Sequence, residues 1–416
     1  MGKVIGTLGK VLLCGLLLCS LYGVAVRAET GDHYPLWTYR IGESVKAVAI
    51  SADGQVIAAG GYEQAGLFLF QRNQSTPIWT TSLGGGCCGG LDSLALSADG
   101  RCLAVGGGWP VRLALYRDQT LQWNYRMDVT FSSIGIAANG SYFATSCSDG
   151  QIRFFDRYDN TTRWSHSTPT PRVALSADGR TLAAISSIYV KCFDWTSPTP
   201  TWTANLDESM GKLALSADGQ WILASSSSFS NRVYLFNQAS PTPLWNCTFA
   251  QNPPSVTISA DGQYFVVSLG SSFALFNRTI PTPSLLWTYN FSQQDAGSYY
   301  IALSADGAYL FTGSAYHVHL FHRNSSTPLW SYAAQEDIGS VAISQDNQYL
   351  VAGGWDTGTV YLFHLTEVGP PDLTLLMVAI IGGAAAAAGG AAVVWYLHGR
   401  ARDAEEAVAE AEYESF

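Results

Sequence analysis

The chain has 416 residues, is 47% hydrophobic and only 13% charged, and carries a formal net charge of −10. The apolar content suffices for a sizeable core, whereas an acidic balance without a basic stripe among aromatics excludes nucleic acid as the expected partner. Neither a Gly-rich phosphate loop with its Lys, nor a nucleophile elbow, nor a His-Glu-x-x-His zinc pattern occurs, so the sequence offers no catalytic constellation and no metal or cofactor is expected.

Residues 1–28 carry Lys3 and Lys10, an apolar run from Val11 to Val26 and a small-residue exit at Val26-Arg27-Ala28. This pattern predicts a signal peptide cut before Glu29. A different order follows, organised around a turn. Ser-Ala-Asp-Gly stands at Ser51 and returns at Ser97, Ser176, Ser216, Ser259 and Ser304, with weaker copies at Ala137 and Ser344. Asp-Gly between two alternating apolar runs is a hairpin signal, because glycine takes positive φ where the chain reverses. The turns recur 39 to 46 residues apart, the repeat length of a four-stranded propeller blade.

A second marker keeps step. Trp37, Trp79, Trp123, Trp164, Trp202, Trp245, Trp287 and Trp330 each follow Pro-Leu, Pro-Ile, Leu-Gln or a similar pair, and several precede Thr-Tyr, Asn-Tyr or Ser-Tyr. A full unit reads as an inner strand (Ala47 to Ile50), the turn, a second strand (Val56 to Ala59), a third (Leu67 to Gln71) and a Trp strand (Ile78 to Ser82). The first Trp strand has no inner strand before it, and the last unit has no Trp strand after it. The N-terminal strand is therefore expected to pair into the last blade, which closes the ring and removes open sheet edges. The predicted fold is all-β, an eight-bladed β-propeller over 29–366. Seven blades are the alternative if the weak unit from Ile134 to Phe155 is not a blade.

The Ser-Ala-Asp-Gly turn followed by Leu-Ala and Val-Tyr-Leu-Phe resembles the WD40-like propeller repeats of exported prokaryotic proteins. The Leu-Trp-x-Tyr strand and the count of eight resemble the quinoprotein alcohol dehydrogenase-like superfamily. The likeness covers about residues 35 to 365 and implies a fold rather than an activity. Ser-Pro-Thr-Pro or Asn-Ser-Ser-Thr-Pro stands where quinoprotein repeats carry Thr-Gly-Lys, and regular Gly-His and Trp-Asp pairs are absent.

Connectivity divides the loops between two faces. The Asp turns and the turns before each Trp strand share one face. Of the sequons at Asn73, Asn139, Asn160, Asn246, Asn277, Asn290 and Asn324, five (Asn73, Asn139, Asn160, Asn277 and Asn324) fall there, and each is a candidate glycosylation site. The opposite face is expected to point outward without sequons. Its loops carry Tyr62, Glu63, Trp109, Phe229, Tyr316 and Trp355, with Asp207, Glu208, Glu336 and Asp337 at the mouths of inner strands. Aromatics beside carboxylates suit sugars, peptides or cationic groups, although solvated acids and covering aromatics would look the same. His317 and His319 share one side of a strand, an arrangement more often packed than metal-bound. In the mature chain Cys87, Cys88, Cys102, Cys147, Cys192 and Cys247 leave pairing open, with Cys87 or Cys88 placed to reach Cys102 in the same blade.

After a linker at 367–372, residues 373–397 run without a charge and are long enough to cross a bilayer. Arg400 and Arg402 follow, so the tail at 398–416 is expected inside and the propeller outside, as in a single-pass type I membrane protein. Gly382, Ala386 and Gly390 at four-residue spacing suit homodimerisation in lipid. The functional expectation is a surface-displayed, membrane-anchored scaffold that binds a protein or glycan. Alternatives are a quinoprotein-like enzyme with its cofactor in the channel, and a structural cell-envelope protein. The small apolar runs Val48-Ala49-Ile50, Leu94-Ala95-Leu96 and Leu213-Ala214-Leu215 argue against a polar channel site.

Overall fold

The computed structural model describes residues 33–84, 90–108, 110–127, 129–159, 161–227, 230–279, 282–292 and 300–365. Among these residues, thirty-two strands form eight four-stranded antiparallel sheets. Blade 1 is typical, with Val45–Ile50 innermost, then Val56–Gly61, Gly66–Gln71 and Trp79–Ser82 outermost. Successive blades occupy 91–126, 131–167, 171–205, 210–248, 256–290 and 300–333. Residues 131–167 make a complete blade, so the count is eight. Blade 8 takes its first three strands from 338–364, and Trp37–Arg40 pairs with Thr359–His364 as its outer strand. The ring thus closes as the sequence predicts.

The repeated turn has a physical explanation. Ser51 Oγ donates to Asp53 Oδ1 at 2.7 Å and accepts the Val56 N–H at 3.0 Å, while Asp53 Oδ1 accepts the Gln55 N–H at 3.0 Å. The same three bonds form at Ser97, Ser176, Ser216, Ser259, Ser304 and Ser344. Each serine is almost wholly buried, so its hydroxyl must be satisfied internally. Ala137 has no hydroxyl, and that turn keeps only the Asn139 Oδ1 bond to Ser141 N–H.

The alanine of the motif links blades. Ala52 N–H donates to Ala98 O at 2.8 Å, and the pattern continues through Ala138, Ala177, Ala217, Ala260 and Ala305; Asp346 N–H returns to Ala52 O at 3.0 Å. The glycine is required by both conformation and space. Gly54 has φ +66°, and a Cβ there would stand 2.2 Å from the Tyr349 ring of blade 8.

Tryptophan fastens the rim. The indole N–H of Trp37, Trp123, Trp164, Trp202 and Trp287 donates to the carbonyl of Arg72, Arg157, Trp195, Gln238 and Arg323 in the following blade. Trp330 Nε1 is buried without an acceptor among the described residues, and His33 stacks on its ring at 4.1 Å. Between blades lie fully buried phenylalanines such as Phe70, Phe143, Phe154, Phe265 and Phe363. Burying each contributes about 1.5–3 kcal/mol relative to exposure.

Several expectations fall outside the described residues: the signal peptide at 1–28, Cys87, Cys88, Trp109, Asn160, Phe229, the linker, the apolar stretch 373–397 with Gly382, Ala386 and Gly390, and the tail. Among the described residues no helix is long and apolar enough to cross a membrane. Two expectations are corrected. Cys102, like Cys147, Cys192 and Cys247, is a free thiol. It lies at the Asp-turn end of its hairpin, opposite Arg117. Asn290 faces Ser272 at the far end of its outer strand, so the loop face does carry a sequon.

Candidate functional site: a cationic cleft at the loop end of the channel

The position four residues before each turn serine forms a column around the channel: Ala47, Ser93, Ser133, Arg172, Lys212, Ser255, Tyr300 and Ser340. Equivalent pairings to the second strand place them at one level: Ala47 faces Gly60, Ser93 faces Gly106, Ser133 faces Ser146, Arg172 faces Ile185, Lys212 faces Ser225, Tyr300 faces Gly313 and Ser340 faces Gly353. A serine here joins blades, since Ser133 Oγ accepts the Val173 N–H at 2.8 Å and Ser340 Oγ accepts the Val48 N–H at 3.1 Å. Two adjacent blades place cations in the column instead. Neither Arg172 nor Lys212 can accept a hydrogen bond.

Arg172 and Lys212 line one cavity of about 430 Å³ at the loop end, walled on its apolar side by Pro171, Met210, Pro253 and Pro254. Among the described residues neither has a carboxylate within ion-pair distance. The only side-chain hydrogen bond of Arg172 there runs from Nη1 to Ser132 O at 3.4 Å. Burial, followed by the charges of Arg172 and Lys46, holds the Lys212 ammonium below its ordinary pKa. The expected small apolar lining is therefore incorrect. The run Leu213-Ala214-Leu215 begins just after Lys212, and Val48-Ala49-Ile50 begins two residues after Lys46.

Lys46 sits in a β-bulge between Val45 and Ala47. The ammonium lies 5.5 Å from the Tyr62 ring centroid and 5.4 Å from that of Trp355, and the two rings are 5.3 Å apart. The structure thus brings together two of the predicted aromatics, from blades 1 and 8, around a cation rather than a carboxylate. Asp92 accepts the Phe131 N–H at 3.0 Å, and burial pushes its carboxyl pKa up against the pull of that bond and of Lys46. Tyr316 is 50% exposed.

The predicted acids divide. Glu336 is 1% exposed and accepts the Thr357 N–H at 2.8 Å and the Tyr361 hydroxyl at 2.7 Å. It fastens the hairpin loop of blade 8 and has no free face for a ligand, which corrects its assignment. Glu43 does the same in blade 1, accepting Gln64 and Gly66 N–H groups at 2.6 and 3.2 Å. Glu208, in the equivalent position of blade 5, accepts the Tyr234 hydroxyl. Asp207 and Asp337 are exposed. Asp207 has φ +57°, and the Asp337 carboxyl pKa is raised by burial and by Asp356.

His317 and His319 do share one strand side, with ring centroids 5.8 Å apart. His319 bonds Ser331 Oγ at 2.7 Å and packs near Tyr289 and Phe291. Among the described residues, no three His, Cys, Asp or Glu side chains converge as metal ligands.

Blade count, closure and repeat chemistry define the class: the chain is a WD40-like, quinoprotein-like β-propeller. A family model described as outer membrane protein assembly factor BamB matches residues 64–268, and one described as WD domain, G-beta repeat matches 326–363. None of the curated protein sequences matches this chain. Among solved structures it resembles the Cps50 (Swd1) β-propeller domain of Myceliophteria thermophila, with 14% identity and TM-score 0.56, over 80% of this chain and 100% of that one. It also resembles the C-terminal WD40 domain of Sif2, with 12% identity and TM-score 0.68, over 81% of this chain and 99% of that one. At such identities the likeness speaks for fold alone.

Proposed function

We propose that this propeller is a binding scaffold that takes a protein or glycan ligand at its loop end, over the mouth of the channel. The observation that carries the reading is the cleft lined by Arg172 and Lys212, two cations with no carboxylate partner among the described residues, in a chain of net charge −10. Exposed Tyr316 and the Tyr62–Trp355 pair flank the same end. The charge-free stretch 373–397 would hold the propeller at a membrane as a single-pass type I protein, with Gly382, Ala386 and Gly390 available for self-association. The outward display of the loop end rests on that reading.

A photo-crosslinking amino acid placed at Tyr316 or at Tyr158, which is 76% exposed beside an Asp-turn, tests this in the full chain in its own membrane. Crosslinks to a partner from position 316 alone support it, and crosslinks from 158 alone overturn it.

The second reading, a quinoprotein-like enzyme, is favoured by the match over residues 64–268 and by the channel cations. Lys46, Arg172 and Lys212 supply the cationic part of such a site. The described residues do not gather the carboxylates that would hold a calcium ion, so the fit is incomplete and no chemical step is assigned. Quinone absorbance in the purified chain would establish this reading over the first.

A further inference from the structure

The cleft has a composition more specific than its charge. Beyond Arg172 and Lys212, its described polar wall consists of Ser132, Ser148, Thr170, Ser226, Ser227 and Asn252, six hydroxyl or amide side chains drawn from blades 3 and 5 and from the connections into blades 4 and 6. None of the described lining residues is aromatic or acidic. Acidic peptides are typically held by clusters of arginines, and other peptides by apolar anchor pockets or an open strand edge; the described lining has a single arginine. Here blades 3 to 6 each have all four strands, so the strands behind the cleft are paired within their sheets.

We infer that this cleft binds a sugar acid: a polyhydroxylated ligand whose carboxylate sits between Arg172 and Lys212 and whose hydroxyls bond the serine, threonine and asparagine wall. The inference rests on the loop-end binding proposed above and names the ligand class for it. Two considerations support a carboxylate. The half-buried Lys212 ammonium needs an opposite charge to offset its lost hydration, with the exposed Arg172 guanidinium lining the same cavity, and none of the described residues supplies that charge within ion-pair distance. The guanidinium and the ammonium also donate without accepting, so they suit an acceptor-only group. The hydroxyls suit a ligand that both donates and accepts at several points. Pro171, Pro253 and Pro254 add rigid apolar wall of the kind a sugar ring covers. A cavity of about 430 Å³ lies within the range of small-ligand sites.

Isothermal titration calorimetry on the full chain, with sodium galacturonate, sodium glucuronate, the methyl ester of galacturonate and the peptide acetyl-Asp-Glu-Asp as probes, tests the assignment. At least one of the two sugar acids should bind. The uncharged ester should bind about tenfold or more weakly than galacturonate, as expected for loss of a hydrogen-bonded charge. Lys212→Met and Arg172→Met should each weaken acid binding to a similar degree, and Lys212→Arg should restore most of it. Circular dichroism and thermal melting check that the variants are folded. Equal binding of acid and ester, or indifference to both methionine variants, overturns the anion site. Tighter binding of the acidic peptide than of either sugar acid overturns the sugar assignment. If no probe binds while crosslinks from position 316 still form, the ligand class is wrong and the loop-end reading stands; loss of both removes the two together.

Discussion

The two ends of the propeller are built on opposite terms. At the Asp-turn end the serine hydroxyls, aspartate carboxylates and alanine peptide groups are used in hydrogen bonds within a turn or to the next blade. At the loop end the polar groups differ from blade to blade, and Arg172 and Lys212 occupy positions where Ser133 and Ser340 make inter-blade bonds. One end repeats because every blade must solve the same closure problem. The other is free to vary, and unmet polar capacity accumulates there.

Substitutions can break this contrast. Deleting Trp37–Arg40 should have the largest effect, because it exposes the edge of Thr359–His364 and unfastens Trp37 from Arg72. Loss of cooperative melting, with aggregation, is the expected readout. Gly54→Val should cost about 3 kcal/mol, since it adds both backbone strain and a clash with Tyr349; urea denaturation measures it. Ser216→Ala should cost about 1–2 kcal/mol, leaving the part-buried Trp221 N–H without its acceptor. The converse change Ala137→Ser, at the one copy without a hydroxyl, should stabilise by about 0.5–1 kcal/mol.

The loop end should respond with the opposite sign. Lys212→Met removes a half-buried cation that faces Arg172 and Lys46, and it should stabilise the fold by about 1 kcal/mol while weakening ligand binding. Destabilisation by this variant would mean that the cation already has a structural partner.

The smallest effect concerns pH. His166 Nε2 lies 3.0 Å from Lys191 Nζ, and Lys191 also donates to Thr168 Oγ1 at 3.0 Å. Burial, then the Lys191 charge, depresses the His166 pKa. A depressed value means that the unfolded chain takes up the proton more readily than the folded one. Stability is therefore full above the ordinary histidine pKa and falls as pH drops through it. The melting temperature should decrease slightly between pH 7.5 and 5.5, and His166→Gln should flatten that dependence.

How much was legible follows from the same contrast. The blade count, the closing strand and the turn chemistry were readable because they are local and repeated, as in Ser51 to Gly54. The cleft was not, because Lys212 and Arg172 each stand alone beside an apolar run and gain meaning only when eight strands are aligned. Counting back four residues from each turn serine would have placed both in one column. Glu336 misled for a related reason. A loop acid looks solvated in sequence, and its burial depends on Thr357 and Tyr361, two strands away. Tyr62 and Trp355 were singled out correctly as loop aromatics, but their meeting around Lys46 depends on blades 1 and 8 being neighbours.

Pairing Trp37–Arg40 with Thr359–His364 also sets an order of events in time. The earliest strand of the propeller has no partner until the latest one has been made, more than 300 residues on. Such a contact lies at the far extreme of sequence separation, where chain entropy makes encounter slow. Until it forms, blade 8 presents an open edge on its third strand, and the nascent molecule has its greatest exposure to self-association. The interval between synthesis of His364 and docking of Trp37 is thus the stage at which a holdase would matter most to this chain.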